Sequence, residues 1–200
     1  MLDSRKIKLN IVRYFYPLAV RYWKHWSSLY RILFERKFKK FELESNLPLS
    51  VVESRLASLS WREDGLKQLW DACGTPNKVQ FILNELSEGR PQPDMALDCD
   101  DFSVWAANVL SPMCKPRIYT FAWVDGHGRV EGHAMCLCTD VDGKIFHVGN
   151  WGTSSTYNNL KEACEHICAR RNAEPIGWAL FTKELRLIKC GKGFPNTVVK

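Results

Sequence analysis

The chain has no long apolar run. None of its 200 residues belongs to a stretch that approaches the ~20 consecutive apolar residues needed to cross a bilayer. Arg, Lys and His interrupt the N-terminal segment, so it does not have the continuous apolar core of a secretory signal peptide. These two absences argue against a helical membrane protein and predict a soluble protein that is cytoplasmic by default.

Acidic residues are nearly absent from the first 40 positions. Eleven Lys or Arg residues stand there against Asp3 and Glu35, for a charge of 11 − 2 = +9. The rest of the chain has 17 basic and 20 acidic residues, or −3. The net charge of +6 therefore belongs to the N-terminal segment and indicates nothing about the substrate of the remaining chain.

Apolar residues recur every three or four positions from Ser4 to about Lys40, which predicts a helix that Pro17 breaks or kinks. We interpret residues 1–45 as a basic, aromatic-rich helical N-terminal extension and residues 46–200 as the folded domain. The helix either packs its aromatic residues on the domain or a partner and shows its charges to water, or contacts a polyanion. Nucleic acid, an anionic membrane surface or a larger assembly such as a viral particle are the candidate partners of residues 1–40.

The chain has eight cysteines, and the absence of an export signal decides how they are interpreted. In a chain of this size without a signal peptide, free thiols are expected rather than a disulfide framework. The eight cysteines are at positions 73, 99, 114, 136, 138, 164, 168 and 190.

One cysteine opens the most regular helical pattern of the chain. Apolar residues at 102, 105, 106, 109 and 110 have the spacing of a helix with one buried face, so Cys99 is expected in its first turn. Asp98, Asp100 and Asp101 supply capping oxygens there. A helix N-terminus favours a thiolate and the three carboxylates oppose it, so a reactive Cys99 requires a nearby imidazolium.

His133 is the predicted partner of Cys99. It lies in an alternating, strand-like segment, and the dipeptide Asp142-Gly143 predicts a hairpin to a returning strand over residues 145–150. With a two-residue loop, His133 and Asn150 are diagonal neighbours on one face of the sheet. A loop of odd length would remove this pairing. In the preceding hairpin, Val124 opposite Arg129 across the turn at residues 125–128 would place Thr120 beside His133.

These residues resemble a known family. Cys99-Asp100-Asp101-Phe102 at the start of an apolar helix, Gly132-His133-Ala134, and a strand ending in Asn150 resemble the transglutaminase-like cysteine peptidases, which are relatives of papain. The resemblance covers roughly residues 60 to 152. It implies a triad in which Cys99 is the nucleophile, His133 the acid and base, and Asn150 the residue that orients the histidine. The family commonly has Asp in the third place, and Asn150 followed by Trp151 is similar to the papain arrangement.

Two further residues are assigned to the oxyanion and the substrate. The backbone N–H of Cys99 can donate to an oxyanion, as helix N-termini do. Gln92 is the candidate second donor, since papain relatives place a glutamine upstream of the cysteine. Trp151 is expected to pack over the histidine and contact the substrate. No cofactor or metal is expected.

The predicted function is a thiol-dependent amidohydrolase that cleaves a peptide or isopeptide bond through a Cys99 thioester. A transglutaminase or deamidase with the same triad differs only in what resolves the acyl-enzyme. A catalytically inactive binding or structural module, docked through its basic arm, is the alternative from another class. A zinc site is the remaining alternative, and its thiol and imidazole ligands would be Cys136, Cys138, His147, Cys164 and Cys168.

The expected fold class is α+β. Helices alternate with strand-like segments that connect through short turns, which is typical of helices packed on an antiparallel β-sheet. The nucleophile is then on a helix and its base on a strand. The family resemblance implies the papain-like, transglutaminase-like version of this class.

Overall fold

The computed structural model describes residues 4–62, 72–150, 152–154 and 156–196. Its helices are α1 (Ser4–Phe34), α2 (Leu49–Ala57), α3 (Pro76–Ser87), α4 (Cys99–Val109) and α5 (Leu160–Arg171), with short 3₁₀ helices at Arg36–Lys40 and Pro112–Cys114. Its strands are β1 (Arg117–Val124), β2 (Val130–Thr139), β3 (Ile145–Gly149), β4 (Gly152–Thr153), β5 (Glu174–Phe181) and β6 (Leu187–Lys192).

The six strands form one antiparallel sheet in the order β4-β3-β2-β1-β5-β6. Helices α1 and α4 pack on one face of the sheet, and α5 packs on the other. The expected α+β class, with helices on an antiparallel sheet, is confirmed.

Helix α4 forms where the periodic pattern predicted it, with Asp98 as N-cap and Cys99 as its first residue. Its burial is greater than the single apolar face indicated, because every residue from 100 to 107 is buried between α3 and the sheet. Trp105 illustrates the fit: its side chain is fully buried, and its Nε1 donates to Gln80 Oε1 of α3 at 3.2 Å. The nucleophile candidate therefore stands on the most enclosed helix of the fold.

Helix α1 continues through Pro17, so the predicted break there is wrong, and the alternative, a kink, stays a prediction. Its inner face packs on β5 and β6, where the Trp23 ring lies 4.9 Å from the ring of Phe181. Arg13 donates to the Pro175 carbonyl from both Nε (3.0 Å) and a terminal nitrogen (2.6 Å). The predicted extension therefore packs against the sheet, and the division at residue 45 stays a prediction.

The two hairpins share one turn structure that differs from the predicted one. Each loop has three residues, closed by the pairs Asp125 with Arg129 and Asp140 with Lys144. In each, the aspartate Oδ1 accepts the backbone N–H groups two and four residues ahead at 2.8 to 3.0 Å, and the glycine three residues ahead has φ +79°. The predicted two-residue loop of the second hairpin is therefore one residue too short, and the four residues predicted between Val124 and Arg129 in the first hairpin are one too many.

This odd loop length changes which side chains of β1 and β3 share a face with those of β2. Cys136 pairs with Val148, and both pack on the α4 side. His133 is directly opposite Phe121 and alternates with Met135, on the side that packs on α5. Thr120 is opposite Ala134 rather than beside His133.

Candidate functional site

A buried ion cluster fixes the first turn of α4. Lys78 Nζ of α3 lies 2.7 Å from Asp101 Oδ2 and 3.3 Å from Glu35 Oε1, and all three side chains are at most 3% exposed. Asp101 also accepts the backbone N–H of Asp98 at 3.4 Å and that of Gly74 at 3.1 Å. One carboxylate thus caps its own helix and ties it to α3, which holds the turn that carries Cys99.

Cys99 opens onto a cleft of about 430 Å³ between α4, α1 and strands β1 and β2. Its Sγ accepts the backbone N–H of Ala134 at 3.5 Å, and its carbonyl accepts the Ser103 hydroxyl at 2.5 Å. The opposite wall is the inner face of α1, including Tyr16 and Trp23. All eight cysteines are thiols rather than disulfides, and Cys99 is half-buried.

His133 also lines this cleft, and the other four histidines, all within the described residues, do not. It is 6% exposed. Burial, and then the nearby charges of His147 and Arg171, lower the pKa of its imidazole to about 3. The predicted imidazolium is therefore wrong for the resting structure, because this side chain is neutral near pH 7. The ring follows the strand toward the α5 layer, while Cys99 lies on the α4 layer.

Asn150 is not brought to this cleft. It lines a separate cavity of about 170 Å³ beside Glu53 and Leu56 of α2. Its Oδ1 is buried and has no hydrogen-bond partner in the described part of the chain. The three-residue loop explains the separation: with Cys136 opposite Val148, Asn150 falls on the face of Ala134, not on that of His133.

Gln92 does not line the cleft. Both polar atoms of the Gln92 side chain bond to the backbone of Ser60. The amide oxygen accepts the Ser60 N–H at 2.7 Å, and the amide nitrogen donates to the Ser60 carbonyl at 2.8 Å. Gln92 is therefore a structural clamp between two loops rather than an oxyanion donor. Trp151 lies outside the described residues.

The structure divides the predicted zinc ligands between the two faces of the sheet. Cys136 and Cys138 face α4, whereas His147, opposite Leu137, faces α5 together with Cys164 and Cys168. These side chains cannot coordinate a single ion, so this alternative is wrong. Over the described ranges, the one group of three potential metal-binding side chains is Asp98, Asp100 and Asp101 at the start of α4.

A second, polar cleft of about 790 Å³ was not predicted from the sequence. It lies between β3, β4 and α5, where the His147 ring stacks on Tyr157 and the Tyr157 hydroxyl lies 2.7 Å from His166 Nδ1. Burial, and then the neighbouring His166, lower the pKa of His147 to about 4. His147, Tyr157 and His166 are ten and nine residues apart, which is the spacing of neither a helix nor a strand face, so only the folded sheet brings them together.

No family model matches this chain, and neither a curated protein nor a solved structure matches it. The resemblance to the transglutaminase-like cysteine peptidases therefore stays a prediction that depends on the residues around Cys99, His133 and Asn150. Along the described residues, no helix has both the length and the apolar character needed to span a bilayer.

Proposed function

We propose that this chain is a thiol-dependent acyl-transfer enzyme of papain-like, transglutaminase-like fold, acting on an amide of a peptide or protein. The observation that carries the proposal is that Cys99, at the first residue of a rigidly held helix, opens onto a cleft that the chain's histidine candidate also lines. A thiol at a helix N-terminus and an imidazole that lines the same cleft are the two groups that thiol acyl transfer uses.

In the proposed reaction, neutral His133 takes the Sγ proton as Cys99 attacks the amide carbonyl. The C–N bond then breaks, the amine leaves with the proton held by His133, and a thioester remains on Cys99. Water attacks the thioester in an amidohydrolase or a deamidase, and a second amine attacks it in a transglutaminase. Proton transfer requires the His133 ring to turn toward Sγ around the edge of β2. No strand covers that edge beside His133, because among the described residues β3 pairs with β2 only from Cys136 onward.

The backbone N–H of Ala134 replaces Gln92 as the second oxyanion donor in this proposal. It already points at Sγ from 3.5 Å, so the oxygen of a carbonyl bonded to Sγ lies within its reach. The N–H of Cys99 itself is the first donor, since the first N–H groups of a helix have no partner within the helix.

Trapping the acyl-enzyme tests the proposal. The protein is incubated with p-nitrophenyl acetate at pH 7, and the acetyl groups are mapped by mass spectrometry on wild type, Cys99→Ser, His133→Gln and Asn150→Ala. Cys114→Ser and Cys190→Ser are the matched controls, because these two cysteines are half-buried like Cys99.

We expect thioester formation on Cys99 that Cys99→Ser abolishes and His133→Gln slows by about 10²-fold or more. Neither control variant should change it. A similar slowing in Asn150→Ala would assign that residue its orienting role. Equal labelling of Cys99, Cys114 and Cys190 would refute the enzyme and favour an inactive binding module, an alternative that the separation of Asn150 from the cleft supports.

A further inference from the structure

The outward side of α1 has an apolar surface that no described residue covers. We define the outer band as Ile11, Phe15, Leu18, Tyr22, Leu29 and Leu33, which are 42 to 59% exposed. Their spacing of three, four or seven residues places them along one stripe of the helix. The buried residues of α1, such as Val20 and Trp23, lie on the opposite side.

The exposed apolar area of the outer band is at the top of the range found for single patches on monomeric proteins. Six large side chains at about half exposure correspond to roughly 500 to 600 Å² of apolar area, the upper limit for the largest patch on a typical monomer. Tyr14, Trp26 and Ile32 flank the band and are 65%, 49% and 60% exposed. A surface of this size on one helix indicates a binding face.

The charges around the band identify the occupant. From Ser4 to Phe34 the sequence has no Asp or Glu and seven Lys or Arg residues, of which Arg13 and Arg31 bond inward to the backbone carbonyls of Pro175 and Gly74. Four exposed basic residues follow directly, at Arg36, Lys37, Lys39 and Lys40. Pairing with a second α1 would bring two cationic helices together without the acidic partners that stabilise a coiled coil. Nucleic acid would neutralise the charges but leave the apolar band exposed.

An anionic lipid surface satisfies both features. Interfacial helices bury an apolar, aromatic-containing stripe at the boundary of headgroups and acyl chains, while Lys and Arg bind the acidic headgroups. Tyr and Trp suit this boundary, because one end of each ring system is apolar and the other is polar. We propose that α1 lies flat on an anionic membrane through its outer band, with the Arg36–Lys40 segment against the headgroups.

Sedimentation of the full chain with vesicles tests this proposal. The vesicles consist of phosphatidylcholine alone or of phosphatidylcholine with phosphatidylserine. The band variant is Leu18→Gln with Leu29→Gln, and its matched control is Val130→Gln with Ile188→Gln, since these four side chains are 42 to 48% exposed and none is charged. A third variant replaces Lys37, Lys39 and Lys40 with Gln. Circular dichroism confirms that each variant is folded.

We expect binding to phosphatidylserine vesicles that falls at least tenfold in the band variant and is unchanged in the control. The lysine variant should bind about fivefold more weakly per lysine removed, and wild-type binding should fall as salt rises. Absence of vesicle binding, or equal loss in the band and control variants, would overturn the proposal. Self-association that the band variant abolishes would assign the band to a second copy, and nucleic-acid binding that it leaves intact would assign the charges to that partner. The readout does not involve Cys99, so it is independent of the proposed enzyme activity.

Discussion

Replacing Lys78 with Met removes a cation that bridges two buried carboxylates. Lys78 contacts Asp101 at 2.7 Å and Glu35 at 3.3 Å, and the exposed fractions of the three side chains are 3%, 0% and 3%. Met has a similar length, so the substitution leaves little void. The main change is that two carboxylates lose their countercharge in a site that water does not reach.

We expect Lys78→Met to lower the free energy of unfolding by about 3 to 5 kcal/mol, the range for removing one partner from a buried ion pair. The chain supplies a matched control on its surface. Arg90 also bridges two carboxylates, those of Glu85 at 2.6 Å and Glu88 at 2.5 Å, but its side chain is 48% exposed. Arg90→Met should therefore cost less than about 1 kcal/mol.

Urea unfolding followed by tryptophan fluorescence measures both values at pH 7. Adding Glu35→Gln and Asp101→Asn to Lys78→Met should restore part of the loss, because the unpaired charges cause most of it. Equal destabilisation by Lys78→Met and Arg90→Met would refute the reasoning. So would a triple variant that is no more stable than Lys78→Met alone.

Three further predictions concern individual backbone and side-chain environments. A β-carbon at Gly74 would overlap Asp101 Oδ1, so Gly74→Ala should lower the free energy of unfolding by about 1 to 3 kcal/mol in urea titrations, whereas Gly149→Ala, which meets nothing within 4 Å, should not. The folded pKa of His133 is about 3, below its ordinary value of 6.5, so the unfolded chain binds more protons between these values. His133 should therefore lower the stability by about 1.4 kcal/mol per pH unit as pH drops from 6.5 toward 3, and His133→Gln should remove this contribution but leave that of His147, whose pKa is lowered to about 4. Asn172, at the end of α5, has φ +46° and ψ +52°, so Asn172→Val should lower the thermal midpoint and Asn172→Gly should not.

Local signals made α4 predictable from the sequence. Its apolar residues follow the helical period, and Asp98 and Asp101 stand where caps are needed, so the helix and the position of Cys99 within it are confirmed. The strands of the sheet follow from alternation in the same way. Periodicity did not show that α4 is buried on all sides, because small residues such as Ser103 and Ala107 are compatible with either a buried or an exposed face.

The register between β2 and β3 was predicted wrongly, and the predicted site depended on that register. Asp142-Gly143 was interpreted as a two-residue loop, but Asp140 is three residues before Gly143, as Asp125 is before Gly128. Asp first and Gly fourth is typical of a type I turn followed by a left-handed glycine, which makes a three-residue loop. This repeated pattern was present in the sequence and would have placed His133 and Asn150 on opposite faces.

Helix α1 has two apolar sides, and the sequence alone does not show which side packs on the sheet. The sequence shows that residues such as Phe15 and Trp23 are apolar, but it does not show which of them packs on the sheet. Tyr16 selects the inner side through contacts that no local pattern contains, including its hydroxyl 3.1 Å from Thr120 Oγ1. Only the tertiary structure identifies the outer band.

The packing of α1 on β5 also determines when the Cys99 cleft can form during synthesis of the chain. Arg13 and Pro175, which bond to each other, are 162 residues apart, and chains emerge from the ribosome from the N-terminus. The helix that walls the Cys99 cleft is thus made before the strands that hold it there. A nascent chain that has not reached β5 has its thiol helix but no closed cleft, so the cleft is assembled only after β5 has been made.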